Sequence, residues 1–115
     1  MDNKKTPTYY LNKIIKDICF IVENTKNVSL DMFTKNELLN NAASFRFIQI
    51  SENLKQIPQT IILEYPSIPW HKISGLRNKI VHDYGSVKMD IIYYTAVHDL
   101  PELLIQLEEL VKLSV

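Results

Sequence analysis

The chain has 115 residues, of which 46% are hydrophobic; this fits a single domain, residues 1–115, able to bury a core without staples, and excludes a disordered segment. Thirteen basic residues balance thirteen acidic ones, which excludes a general nucleic-acid coat. Two glycines and one cysteine exclude a glycine-rich phosphate loop, an intrachain disulfide and a cysteine-rich metal site.

Thr6 followed by Pro7 is a helix start: a capping hydroxyl, then a proline whose missing N–H costs nothing. Leu11, Ile14, Ile15, Ile18, Ile21 and Val22 follow at helical spacing and predict a first helix ending near Asn24 to Asn27. Cys19, among Ile18, Phe20 and Ile21, reads as a buried structural thiol. Ser29 and Asp31 can cap a short turn whose Met32 and Phe33 plug the core. A longer helix is expected from about Asn36 to Ile57, with Leu39, Ala43, Phe47, Ile50, Leu54 and Ile57 recurring at steps of four and three. Pro58 ends or kinks it. Thr60 to Tyr65 is ambiguous and reads as one or two helical turns. Pro66-Ser67-Ile68-Pro69-Trp70 is a stiff elbow, since each proline fixes φ and biases its predecessor away from helix.

From Trp70 a third main helix should reach His82, where Asp83, Tyr84 and Gly85 break it. A fourth begins near Lys88 and carries Ile91, Ile92, Tyr94 and Val97. Asp99, Leu100 and Pro101 open the last, with Leu103, Leu104, Leu107, Leu110 and Val111 as its apolar stripe. No segment alternates with period two for long enough to form a strand. The expected fold is all-α, an antiparallel bundle of four to five main helices.

Charge is uneven along this frame. Residues 71 to 88 hold Lys72, Arg77, Lys79 and Lys88 against the one acid Asp83, with His71 and His82 in reserve. Such a patch on a neutral protein suits a small anionic target better than a long duplex. Glu102, Glu108 and Glu109 read as a solvated face of the last helix. The polar stretch Met1 to Thr8 lacks the apolar core of a signal peptide, and no apolar run reaches the length of a membrane span. The expected location is the cytoplasm, with no membrane association.

Within the patch, Arg77, His82 and Tyr84 form the pattern R-x4-H-x-Y. An arginine can clamp phosphate oxygens and stabilise charge that develops in transfer. An imidazole with an ordinary pKa of about 6.5 can take or give the proton of an RNA 2′-hydroxyl. No metal is required. On an ideal helix, however, Arg77 and His82 lie about 140° apart. Either the helix unwinds at His82, as Asp83 and Gly85 permit, or a second copy of the chain completes the site. Gly75 reads either as a close-approach point one turn before Arg77 or as a tolerated surface glycine. On spacing alone the plainer reading outweighs the catalytic one: Arg77 in a surface ion pair, His82 as a helix C-terminal cation. His71 and His98 lack a carboxylate at metal-ligand spacing, so no metal site is expected. Tyr9, Tyr10, Tyr93 and Tyr94 read as core or interface aromatics rather than platforms for bases, and Trp70 as a packing anchor.

The stretch from Ile68 to Tyr84 closely resembles the signature of the HepT-like family of HEPN-domain proteins. That signature runs I-P-W-x-x-I-x-G-x-R-N-x-x-x-H-x-Y, and every fixed position is met: Ile68, Pro69, Trp70, Ile73, Gly75, Arg77, Asn78, His82 and Tyr84. Asp99-Leu100-Pro101 is similar to the family's final helix start, and Ala42-Ala43 through Glu52 to its long helix. There the usual I-G-E-A reads Ile50-Ser51-Glu52-Asn53, a departure at two positions that could alter helix packing.

The resemblance implies a toxin of a toxin–antitoxin pair, acting as a metal-independent ribonuclease without a cofactor. It implies a homodimer of helical bundles whose two R-x4-H motifs face one cleft, with Arg77 and His82 catalytic. Asn78 would orient His82 or bond a phosphate oxygen, or else simply lie on the helix surface. The implied partners are an RNA substrate and an MntA-like nucleotidyltransferase antitoxin, in a larger hetero-oligomer or not. That antitoxin would transfer AMP units from ATP to Tyr84. A different class stays open: a non-catalytic HEPN module that binds a nucleotide or the nucleotidyltransferase. A purely structural dimer is a third reading.

Overall fold

The computed structural model describes residues 5–75 and 89–113. Helix α1, Pro7–Thr25, starts as its sequence demands: the Thr6 hydroxyl accepts the Tyr9 N–H at 3.2 Å, with Pro7 in the first turn. Its inner row, Leu11, Ile14, Ile18 and Ile21, is fully buried. Thr25 closes that row and satisfies its own hydroxyl by donating to the Ile21 carbonyl at 2.8 Å. Asn27, at φ 61°, turns the chain out of the helix, a conformation asparagine tolerates better than most residues.

Helix α2, Leu30–Lys35, is capped by Ser29, whose hydroxyl accepts the Met32 N–H. Phe33 is completely buried, whereas Met32 is 57% exposed. Only Phe33 is therefore the expected plug. Adjacent helical positions point about 100° apart, and a single turn cannot bury both.

Helix α3, Glu37–Leu54, is capped by Asn36. Ala43, Phe47, Ile50, Leu54 and Ile57 are buried as their spacing predicts. Leu39 is only half-buried, and Asn40 takes the inner place beside it. The Asn40 amide donates to the Phe33 and Thr34 carbonyls at 3.2 and 3.3 Å, serving backbone acceptors at the end of α2. The helix stops three residues short of Ile57. Tight bonds from Gln56 N–H to the Asn53 carbonyl and from Ile57 N–H to the Leu54 carbonyl close it instead, because the residue before a proline is disfavoured in helix. Pro58 then opens α4, Gln59–Glu64, which settles the ambiguous segment as helix.

The elbow forms around one carbonyl. Tyr65 accepts both the Ile68 N–H at 3.2 Å and the Trp70 indole N–H at 3.1 Å. From there residues 70–75 are helical, here termed α5.

After the undescribed stretch, α6, Met89–Tyr94, runs directly into a π-helical turn, Thr95–Asp99, and then α7, Leu100–Leu113. The last helix begins at Leu100, within the expected start at Asp99–Pro101, but follows α6 without a gap. The Leu100 N–H reaches back five residues to the Thr95 carbonyl. The wider turn lies directly ahead of Pro101, whose ring and missing N–H disfavour ordinary α-helical bonding.

Among the described residues every regular element is helical, as expected. α1 packs against both α3 and α7. It runs antiparallel to both. Ile14 meets Ile50, Leu54, Leu103 and Leu107 around one void. Further along α1, Asp17 pairs with the earlier Arg46 of α3, and Val22 lies near the earlier Val97 and Pro101. Asp17 and Arg46 meet at 2.7 Å, and the guanidinium also lies 4.1 Å from the centre of the Phe20 ring. Cys19 is half-buried rather than in the core. Burial, then Glu108 and Glu23, raises its thiol pKa.

Asp17→Ala removes the partner of a partly buried cation and is expected to cost about 1–3 kcal/mol of unfolding free energy. An unchanged urea midpoint would contradict this. Cys19 is expected to react with iodoacetamide at pH 8 more slowly than free cysteine, because a raised pKa leaves less thiolate at that pH. Labelling as fast as the free amino acid would show that the raised pKa is wrong.

Candidate functional site

Arg77, Asn78, His82 and Tyr84 lie outside the described residues, as do Asp83 and Gly85, where the helix was expected to break. The structure does define the seat from which that segment leaves. Trp70 and Ile73 on α5 are 7% and 2% exposed. Together with Ile14, Ile50, Leu54, Ile68, Leu103 and Leu107 they enclose a void of only about 10 Å³. Three elements besides the elbow thus hold the first turn of α5, and packing this tight leaves it little freedom to pivot. Trp70 is the packing anchor its sequence context suggests.

One buried polar bond adds direction to this seat. Ser51 of α3 is 2% exposed, and its hydroxyl donates to the Ile73 carbonyl at 3.2 Å. Ile73 stands four residues before Arg77. The departure from I-G-E-A at Ser51 therefore has a visible consequence: the added hydroxymethyl group bonds the helix that leads to the motif. Sequence reading flagged the position but gave no partner, since the contact spans 22 residues.

The outer face of α5 borders solvent. His71 and Ser74 line a groove of about 190 Å³ with Ser51, Lys55, Gln59 and Ile62. The Ser74 hydroxyl donates to the Trp70 and His71 carbonyls. Lys72, counted in the positive patch, pairs with Asp99 of the π turn at 3.1 Å, so part of its charge is offset. Gly75 is exposed, and a Cβ placed on it would meet nothing within 4 Å. Within one copy, close approach to described residues does not explain this glycine.

The remaining candidates sort by exposure. Tyr10 packs against the core, and Tyr93 packs on Phe33 and donates its hydroxyl to the Val28 carbonyl. Tyr9 and Tyr94 instead face solvent, and Tyr94 stacks on His98 at 5.6 Å. Glu102, Glu108 and Glu109 form the exposed face expected of them. Among the described residues no three histidine, cysteine, aspartate or glutamate side chains gather at a potential metal site. Nor is any described helix long and apolar enough to cross a membrane.

Comparison with known proteins decides the family. The family described as ribonuclease HepT-like matches residues 13–110. The chain belongs to the HepT-like family. It is 32% identical over 108 residues to "Putative RNase TTE0752" of Caldanaerobacter subterraneus subsp. tengcongensis, covering 94% of this chain and 96% of that protein. It is 28% identical over 109 residues to "Probable ribonuclease HepT" of Thermococcus cleftensis, with 95% and 99% covered. A Methanocaldococcus jannaschii protein, "Putative RNase MJ0127", is 28% identical over 109 residues, with 95% and 90% covered. No solved structure matches. These relatives are matched over nearly their whole lengths, so the likeness extends to the bundle as well as the motif. At family level the activity is that of a ribonuclease.

Ser51→Ala removes the bond to Ile73 and is expected to cost about 0.5–1.5 kcal/mol of stability. Ser51→Gly should cost roughly 1 kcal/mol more, from glycine within a helix. Urea titration checks both; equal midpoints for all three proteins would mean the bond contributes nothing.

Proposed function

We propose that the chain is the ribonuclease toxin of a toxin–antitoxin pair, cutting RNA without a metal through Arg77 and His82. What carries the reading is the sequence from Ile68 to Tyr84, which meets every fixed position of the family signature in a chain that belongs to that family.

The chemistry follows from the residue types. A neutral His82 imidazole takes the proton of an RNA 2′-hydroxyl. The freed oxygen attacks the adjacent phosphorus, the bond from phosphorus to the 5′-oxygen breaks, and that oxygen leaves with a proton. Products are a 2′,3′-cyclic phosphate and a 5′-hydroxyl. Arg77 clamps the non-bridging oxygens and stabilises the charge they gain. Two copies in a dimer would supply two imidazoles, one to take a proton and one to give it. This arrangement also answers the angular separation of Arg77 and His82 along one helix. Asn78 would hold His82 or a phosphate oxygen.

Neutralisation would act at Tyr84. Its phenol oxygen attacks the α-phosphorus of ATP, pyrophosphate leaves, and the phenolic proton passes to a base. The product is an AMP-tyrosine carrying a new phosphodiester charge. Beside Arg77, that charge would compete for the clamp and repel RNA. The agent would be an MntA-like nucleotidyltransferase antitoxin.

Purified protein incubated with total RNA in a chelator is expected to cleave it. His82→Ala should lower the rate by roughly 10²- to 10⁴-fold, and Arg77→Ala should lower it severely. Undiminished cleavage by either well-folded variant would sink the assignment. An inert unsubstituted protein that binds the nucleotidyltransferase tightly would support a binding module instead. For the switch, co-expression with that enzyme is expected to add one or more AMP masses, absent in Tyr84→Phe. Neutralisation without any added mass would mean inhibition by complex formation.

A further inference from the structure

We propose that the outer face of α1 is a binding track for single-stranded RNA, built from Lys5, Tyr9, Lys13 and Lys16. The proposal rests on the ribonuclease reading above and adds to it a place where substrate is held away from the reacting phosphate.

The first observation is charge segregation. Residues 5 to 16 contain three lysines and no acid, although the whole chain is neutral. The first acid that follows, Asp17, turns inward and is occupied by Arg46. Other ion pairs among the described residues take up Lys35, Lys55 and Lys72. None of them involves Lys5, Lys13 or Lys16. All three are exposed. In helical phase Tyr9, Asn12, Lys13 and Lys16 fall within an arc of about 100°, and Lys5 precedes the helix on its approach. Cations in one exposed row at this spacing act together on a polyanion.

The second observation is the aromatic ring set among those cations. Tyr9 is 37% exposed, one face of α1 away from the core. Lys5 Nζ and Lys13 Nζ lie 4.9 and 5.5 Å from its ring centre. Tyr10 braces it edge-on at 5.2 Å. Both ammonium groups lie over the ring, so a base stacking on Tyr9 displaces a lysine from its face, and that cation then meets the adjoining phosphate. A duplex offers no free base faces and would gain only the charge.

The third observation is placement. On its inner side the same half of α1 carries Ile14, which shares its void with Trp70 and Ile73. The track thus rides on the element that seats α5, from which the Arg77–Tyr84 segment departs.

Binding of a fluorescent single-stranded RNA to the non-cleaving His82→Ala protein tests this by anisotropy across a salt series. Replacing Lys5, Lys13 and Lys16 together with glutamine is expected to weaken affinity on the order of tenfold at low salt. It should also flatten the slope of log affinity against log salt by about 2, since each phosphate contact on a single strand contributes roughly 0.7. Lys13→Gln and Lys16→Gln alone should each flatten it by about 0.7, and they serve if the triple variant folds poorly. Tyr9→Leu should weaken binding without changing the slope. Unchanged affinity and slope in folded lysine variants would overturn the proposal. So would a defect confined to binding of a nucleotidyltransferase partner. Cleavage by the unsubstituted chain is scored separately, so failure of the ribonuclease reading and failure of the track are distinguishable.

Discussion

The seating of Trp70 and Ile73 against the bundle is the constraint on which the rest depends. The segment that carries Arg77, His82 and Tyr84 follows α5 in the chain. Residues 70–75 are held because two large side chains are buried among residues of α1, α3, α7 and the elbow. The elbow sets the entry: a single carbonyl, that of Tyr65, binds both the Ile68 amide and the Trp70 indole. Ser51 then ties the Ile73 carbonyl to α3. This apolar and polar bracing gives α5 a rigid base four residues before Arg77 in the sequence.

α1 is the common wall of this arrangement. Its inner row contacts α3 and α7 at once, and the antiparallel pairing brings its first half to the end of the bundle where α5 begins. Its outer row is basic, while the exposed face of α7 is acidic. A neutral total therefore conceals two faces of opposite character. For a protein acting on RNA, this division matters more than net charge, because local cations govern where a polyanion settles. The π-helical turn Thr95–Asp99 serves the same economy of packing. It carries one continuous helical run past Pro101, keeps Ala96 and Leu100 in the core, and presents Asp99 to Lys72.

Much of this was legible in the residues. Thr6-Pro7, Ser29 and Asn36 announce three helix starts because a cap is a local event, read from two or three neighbours. The inner rows of α1, α3 and α7 follow from spacing alone. What sequence could not supply was non-local. Asn40 in place of Leu39, Met32 turned outward and Cys19 at the margin each depend on which element lies opposite. The Ser51 bond to Ile73 spans two helices and leaves no trace in periodicity. The last helix does begin at Leu100, as Asp99-Leu100-Pro101 announces; what spacing did not show is the π turn that joins it to α6 without a gap. The candidate site is the reverse case. Its residues were named by spacing and resemblance, while the structure contributes the seat beneath them.

The central claim is that the RNA's own 2′-hydroxyl is the nucleophile and that Arg77 and His82 manage the charge and the proton. The chemical form of the cut ends reads this directly. Mass spectrometry of a defined RNA cleaved by the purified protein in excess chelator should show a 2′,3′-cyclic phosphate on one fragment and a 5′-hydroxyl on the other. Fragments bearing a 5′-phosphate and a 3′-hydroxyl, formed only when a divalent metal is restored, would contradict the account.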